Sequence, residues 1–329
     1  MKMRPKKILG ALLRYGISLL CLFYAFHGVP LGDLWAVMRR FPVLPMAATV
    51  LAGFAAYAVM GVRLMFMNPE GCPPLFFRST FCASLVGLAL NNVLPAKAGE
   101  IAKAVWIGRD HGLSLDTSLG IVFMERFFDV NVLALLSLWF MWKLGQVRTV
   151  CLFLFCLAAG WGVLFLFRSR PGWGRFWEKL PLPAKMTDFL TRFTLSLVGQ
   201  MSPRRLAWMT ASSLVLWAFY ALQTGVCLNM AAGLGFSLPE TVAVFALSSL
   251  GMLLPSSPGA IGVYEAVMLT VLTACNVPRD QALGVALFAH MAQFIPVTLV
   301  GGLVFLTLKP QGETEAEEAK IVKEGAKLL

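Results

Sequence analysis

The stretch Asn91–Glu100, NNVLPAKAGE, decides how this chain folds. It closes an apolar run, near 76–94, that is hydrophobic enough to lie in a lipid bilayer. Two amides, a proline, a lysine, a glycine and a glutamate arrive where a membrane helix should be finishing. Backbone that leaves the helix at membrane depth is tolerated only where protein buries it or it lines a wet cavity. Pro95 breaks the helix and Gly99 permits a tight return. The expectation is a hairpin of two half-helices joined inside the membrane.

Composition agrees with that reading. The chain has 329 residues, 58% of them hydrophobic and 14% charged, against about 45–50% and about 25% in soluble domains. This is an integral membrane protein. With about 20 residues needed per crossing, spans are predicted near 8–27, 44–66, 117–142, 149–167, 206–232 and 281–307. The first follows Lys2, Arg4, Lys6 and Lys7, is interrupted by Arg14 and Tyr15, and lacks a small-residue cleavage site. It reads as an uncleaved span that starts in the cytoplasm. A net charge of +11 fits anchoring to anionic lipid rather than nucleic-acid binding. The seven cysteines are scattered without a CxxC pair and read as small core residues. No metal-ligand spacing and no phosphate-binding loop occur, so neither metal nor nucleotide cofactor is expected.

Two connectors suit helices lying on the membrane. One places Leu31, Leu34, Trp35 and Met38 on one face; the other, within the basic connector 168–205, does the same with Phe189, Phe193 and Leu197. The segment 309–329 is a charged tail.

LPAKAGEI at 94–101 and LPSSPGAI at 254–261 share LPxxxGxI at an offset of 160. The same offset carries the 44–66 span onto 204–226 and the 117–142 span onto 277–302, both on top of predicted spans. Two repeats follow, one about 8–142 and the other about 149–307, forming a single membrane unit over 1–308. If 76–94 turned back instead of crossing, Arg109 and the basic connector would both face the cytoplasm, as the positive-inside rule requires. Each repeat then has three crossings, an odd number, so the two lie inverted. The expected fold is an all-α polytopic membrane protein with two inverted repeats, each carrying a re-entrant broken-helix hairpin. Pro95 and Gly99 break the first hairpin; Pro255, Pro258, Gly259 and Gly262 break the second. Broken helices meeting at mid-membrane in inverted repeats are how many transporters build a substrate site.

A charge at the bilayer centre costs about 2.5–3.5 kcal/mol, yet Lys97, Glu100, Lys103, Glu125, Arg126, Asp129 and Glu265 all fall near membrane depth. Internal ion pairs that pin helices, such as Glu100 with Arg126, account for single residues. For the cluster as a whole a substrate pathway is the reading adopted. Asn91, Asn92, Lys97, Glu100, Lys103 and Arg126 are assigned to a polar headgroup, with Lys97 beside the positive end of the second half-helix. Glu125, Asp129 and Glu265 are assigned to charge balance or proton coupling. His290 is read as packing or proton relay, Gln223 and Asn229 as interhelical bonds, and Arg63 as a side chain snorkelling to the inner face.

One enzyme motif competes. His111 and Asp116 have the HxxxxD spacing of glycerolipid acyltransferases, where the histidine acts as base, but NPEG at 68–71 precedes it in the wrong order for their second motif. His111 is expected in a solvated loop.

Three ordered segments, NNVLPAKAGEIAK at 91–103, ERFFD at 125–129 and LLPSSPGAIGVYE at 253–265, resemble the lysylphosphatidylglycerol synthase transmembrane-region family. That family includes the flippase half of the multiple peptide resistance factor. The resemblance runs to about residue 308 and implies an inner-membrane lipid translocase of bacteria, or an accessory to lipid modification beside a transferase partner. Lys97 and Lys103 stand where the family usually has Arg, and Ala260 replaces a usual Gly. Lysine keeps the charge but loses the bidentate fork for phosphate. The soluble aminoacyl-transfer domain of the whole synthase is not expected in these residues. Movement of a polar-headed, anionic lipid between leaflets is therefore the expected function, with a membrane enzyme or enzyme subunit acting on such a lipid as the alternative.

Overall fold

A computed structural model describes residues 5–143, 145–169, 176–252 and 256–308. Among them every regular element is helical. In chain order these are α1 (Pro5–Phe26), α2 (Leu31–Met38), α3 (Val43–Met65), α4 (Phe77–Val93), α5 (Ala98–His111) and α6 (Leu115–Lys143). There follow α7 (Val147–Ser169), α8 (Ala184–Gly199), α9 (Pro203–Gly225), α10 (Leu238–Gly251), α11 (Val263–Ala274) and α12 (Arg279–Thr307). A wider π turn, Val226–Ala231, prolongs α9.

Four helices are long and apolar enough to cross a membrane: α3, α7, α9 with its extension, and α12. A fifth is counted if α1 and α2, which meet at 83°, form one span. The chain is a multi-pass membrane protein. The 29-residue α6 is long enough to cross, but it carries Glu125, Arg126 and Asp129 in its middle. Burial ranks the spans: half of the most apolar window of α12 is buried but only 11% of that of α7. So α12 is central and α7 peripheral. Cys151 and Cys156 lie on the exposed surface of α7, whereas Cys82 and Cys227 are buried; the expectation of core cysteines holds only for the latter two.

The offset of 160 reappears in the helices. It moves α3 onto α9 residue for residue, from Val43–Met65 to Pro203–Gly225. Packing partners also recur: α3 lies on α9, α4 packs on α12 as α10 does on α6, and α8 lies on α6 as α2 does on α12.

The decisive stretch ends α4 as its sequence dictates. Leu94, forced extended by the proline after it, has φ −95° and ψ 144°. Pro95–Lys97 make a single tight turn, with Ala96 at φ 61° and Lys97 at φ 54°, and α5 starts at Ala98. A side-chain-bearing residue in this left-handed region costs about 1–2 kcal/mol, so tertiary contacts must hold the turn. Gly99 supplies one: a Cβ there would lie 2.0 Å from the Gly87 carbonyl oxygen, so the α4 and α5 backbones meet with no room for a side chain. The second break is built alike. Pro258–Ala260 form the turn, with Gly259 at φ 67°, Ala260 at φ 57° and Gly262 at φ 89°. Alanine thus occupies a left-handed position where the resemblance expected glycine. Pro255 and the tail 309–329 lie outside the described residues.

The first hairpin is completed by the last helix, and adjacent glycines test that packing. A Cβ on Gly301 would sit 2.2 Å from the Leu85 carbonyl oxygen, whereas one on Gly302 meets nothing within 4 Å. Gly301→Ala is expected to lower stability by about 1–3 kcal/mol and Gly302→Ala to leave the unfolding midpoint unchanged. Thermal unfolding of the two variants in detergent checks this.

Candidate functional site

Arg63 is the centre of the site. It lies on α3 and is fully buried. Its Nη1 donates to Asp129 Oδ1 at 2.6 Å and to Ser213 Oγ at 3.2 Å, and its Nη2 donates to Glu125 Oε1 at 2.8 Å. The sequence reading sent Arg63 to the membrane surface; it turns inward because Glu125 and Asp129, one helical turn apart on α6, offer it two buried acceptors.

Around it the other charges assemble. Lys103, on α5, donates to Glu125 Oε2 at 2.5 Å. Arg126 donates Nη2 to Glu125 Oε1 at 3.0 Å and sets Nη1 3.3 Å from Asp129 Oδ2. Its Nε lies 3.6 Å from Glu100 Oε2, the contact the sequence suggested. Asn91, on α4, donates to Glu100 Oε1 at 3.0 Å. Three cations (Arg63, Lys103, Arg126) therefore balance three carboxylates (Glu100, Glu125, Asp129). Lys97 is a fourth cation, exposed at the break, with its Nζ 3.2 Å from the Met252 carbonyl oxygen. Fully ionised, the group carries one net positive charge.

The cluster grades from closed to open. Glu125 and Arg63 have no exposed side-chain surface and Lys103 has 3%, while Arg126 keeps 37%. Lys103, assigned by sequence to a headgroup, thus faces Glu125 inside the protein. Lys97, Arg126 and Glu100 form the open edge. Glu100 already occupies the first turn of α5, so any anion at that helix end shares it with a carboxylate. Tyr220, on α9, is stacked on Phe245 at 6.3 Å and in contact with Trp217 at 5.4 Å. Beyond Trp217 an apolar groove of about 450 Å³ runs between α6, α9 and α10, lined by Leu136, Ala221, Leu222 and Val242 among others.

The remaining residues distribute elsewhere. Asn92 joins α4 to α12, donating to Thr298 Oγ1 at 2.8 Å. Glu265 is buried on α11 and pairs with His290 of α12 at 2.6 Å, apart from the main cluster. Asn229 bonds the backbone of Phe236 in its own loop, so it closes a turn rather than joining helices. Gln223, 160 residues after Arg63, is buried with neither amide atom hydrogen-bonded.

His111 is not in a solvated loop. It is the last residue of α5 and is buried, with Nδ1 at the Ile107 carbonyl oxygen and Nε2 accepting from the Phe76 amide. Asp116 turns to Ser114, Thr117 and Arg192, and no hydrogen bond joins it to His111. The overlooked signal was Gly112, which ends α5 in the left-handed conformation that commonly closes a helix.

Residues 11–301 match the family profile described as the lysylphosphatidylglycerol synthase TM region. The chain belongs to that family. It is also similar to a UPF0104 membrane protein of Methanothermobacter thermautotrophicus, with 26% identity over 276 residues, covering 78% of this chain and 81% of the relative. A UPF0104 membrane protein of Methanocaldococcus jannaschii is 24% identical over 220 residues, covering 66% of this chain and 92% of the relative. The family match embraces both hairpins and every charge of the cluster, so the site lies inside the family's common region.

Charge balance makes the cluster testable. Arg63→Met leaves the buried carboxylates with one negative charge in excess and is expected to cost about 3–5 kcal/mol. Adding Asp129→Asn restores the balance and should recover a substantial part of the loss. Protein yield in membranes and the unfolding midpoint measure both.

Proposed function

We propose that this protein moves a polar-headed, anionic lipid between the leaflets of the cytoplasmic membrane, receiving the headgroup at the open edge of the charge cluster. The observation that carries the proposal is Lys97. It is an exposed cation held in a left-handed turn between two half-helices, its Nζ hydrogen-bonded to the Met252 carbonyl oxygen, near a part-exposed Arg126. The surplus positive charge belongs to that edge. Arg126 and Lys97 contact phosphate, Asn91 and Glu100 orient them, and Lys103 with Arg63 pairs with Glu125 and Asp129 behind. The apolar groove beyond Trp217 suits an acyl chain, which lets the lipid present its headgroup to the edge while its tail stays in apolar surroundings.

The same reading makes the two halves inverted repeats with re-entrant hairpins, the first entering from the cytoplasm and the second from outside. The recurrence of elements and packing partners at an offset of 160 supports it. Both termini and the basic connector then face the cytoplasm. Single cysteines at Gly145, in the turn before α7, and at Ser169, its last residue, should label from opposite sides in a background without native cysteines. An impermeant thiol reagent should reach position 145 in intact cells and position 169 only after permeabilisation. Labelling of both from one side sinks the inverted arrangement.

The family's description names the membrane region of a lipid-modifying synthase. It supports a second reading in which the protein serves a separate lipid-modifying transferase. Co-purification of such an enzyme from native membranes would favour it.

The headgroup test is a charge series at Lys97. Lys97→Arg should retain or improve movement of fluorescent phosphatidylglycerol in proteoliposomes. Lys97→Gln should weaken binding by about 1.5–3 kcal/mol, the worth of a charged hydrogen bond, and Lys97→Glu should abolish it. A zwitterionic lipid should be little affected. Native rates in Lys97→Gln would move the headgroup site elsewhere.

A further inference from the structure

Each hairpin is tied to the long helix after it by one buried acid–base contact. In the first half Lys103 of α5 meets Glu125 of α6; in the second, Glu265 of α11 meets His290 of α12. The other charges were not kept. At the offset of 160, Lys103, Glu125, Arg126 and Asp129 correspond to Val263, Val285, Ala286 and Ala289. Of the two contacts, only the second contains an imidazole, a group that can hold one proton or two on its ring nitrogens.

The geometry around His290 fixes a proton count. Its Nδ1 lies 2.6 Å from Glu265 Oε1 and its Nε2 lies 2.9 Å from the Gly259 carbonyl oxygen. Carboxylate and carbonyl both accept, so each contact needs its own proton. An imidazolium beside a carboxylate meets that need with two protons. So does a neutral imidazole, bonded through its Nε2 hydrogen to Gly259, that accepts at Nδ1 from a protonated Glu265. A neutral histidine beside an ionised Glu265 holds one proton between two contacts and leaves one as lone pair against lone pair. Both side chains are buried, at 4% and 1% exposure, so water does not repair the lost bond.

The surroundings add no competing charge. Tyr264 lies against the imidazole at 4.6 Å and Phe294 at 5.8 Å. Cys227 flanks Tyr264 from the π turn. From the break, the Gly262 amide donates to Glu265 Oε2 at 2.7 Å. From α1, the Ser18 hydroxyl accepts from the Ser257 amide at 2.8 Å, and from α4 the backbone of Asn92 faces Gly259. Among the described residues no lysine, arginine or second carboxylate pairs with Glu265 or His290.

We propose that the Glu265–His290 pair is a proton-binding site that couples lipid movement to proton movement. With the proton bound, His290 straps the left-handed turn at Gly259 to α12. Proton release opens one of the two contacts and frees either that turn or the α11–α12 tie. The two hairpins are in contact: the second break packs on the end of α4, and Lys97 bonds the carbonyl of Met252, just past the end of α10. A change at Gly259 is thereby transmitted to the edge where the headgroup is received. The proton site stands on this geometry alone; its coupling role rests on the transport reading above.

Infrared difference spectra of the purified full-length protein between about pH 5 and about pH 9, a range that brackets the ordinary histidine pKa, test the site itself. A single carboxyl–imidazole transition is expected, absent from both Glu265→Gln and His290→Gln. A native spectrum with no transition that these substitutions remove overturns the proton site. Proteoliposomes with fluorescent phosphatidylglycerol test the coupling. For one proton per lipid, a gradient of one pH unit should shift the leaflet ratio by up to about tenfold, and Glu265→Gln should lose the shift. A native protein that moves lipid with no response to the gradient overturns the coupling and leaves the lipid reading standing. No lipid movement under any gradient overturns the transport reading and the coupling together, while the infrared result still decides the proton site.

Discussion

A guanidinium withdrawn completely from solvent is the constraint on which the rest of the first half depends. Arg63 cannot lose its proton and cannot reach water, so the protein must bring acceptors to it. Glu125 and Asp129 do so from α6, which fixes the rotation of that helix against α3. Glu125 then has an oxygen to spare, which Lys103 takes, and that fixes α5. Arg126 faces the same carboxylates from the outer side and reaches Glu100. A chain of charge-assisted bonds therefore runs from the buried end of the cluster to its open edge, with each link positioning the next. The hairpin break is held where it is by packing at Gly87 and Gly99 and by this chain together.

Much of the architecture was legible in the sequence because its causes are local. Hydrophobic runs set the helices, and every predicted span corresponds to a helix within a few residues. The break at Pro95 was legible because proline constrains its own φ and the ψ of Leu94. The pairing of Glu125 with Asp129 on one face followed from helical spacing. Contacts between distant segments were not legible. Arg63 lies 62 residues from Glu125 and near the end of an apolar run, so hydropathy assigned it to the membrane surface. His290 and Glu265 are 25 residues apart on different helices, and nothing local marks them as partners. His111 is part of α5 because the helix runs on to its stop signal at Gly112, and that last turn buries the imidazole.

The two halves share a frame but divide their chemistry. One carries nearly all the buried charge, balanced and graded toward an opening. The other carries a single acid–histidine contact in otherwise apolar surroundings, and an uncharged glutamine where its counterpart has arginine. Helix positions depend on packing, so the same frame is kept while different residues at a few buried positions distinguish the two halves.

The sequence positions of the charges bear on how the protein is made. All six residues of the balanced set fall between positions 63 and 129. Their neutralisation needs no partner from the second half except the hydroxyl of Ser213, a minor bond at 3.2 Å. A nascent chain can therefore settle its most expensive cargo as soon as α6 has left the ribosome. The glycine contact that seals α4 to α12 must wait until residue 301. Insertion of the charged helices and closure of the hairpin are in this way separated by nearly half the length of the chain.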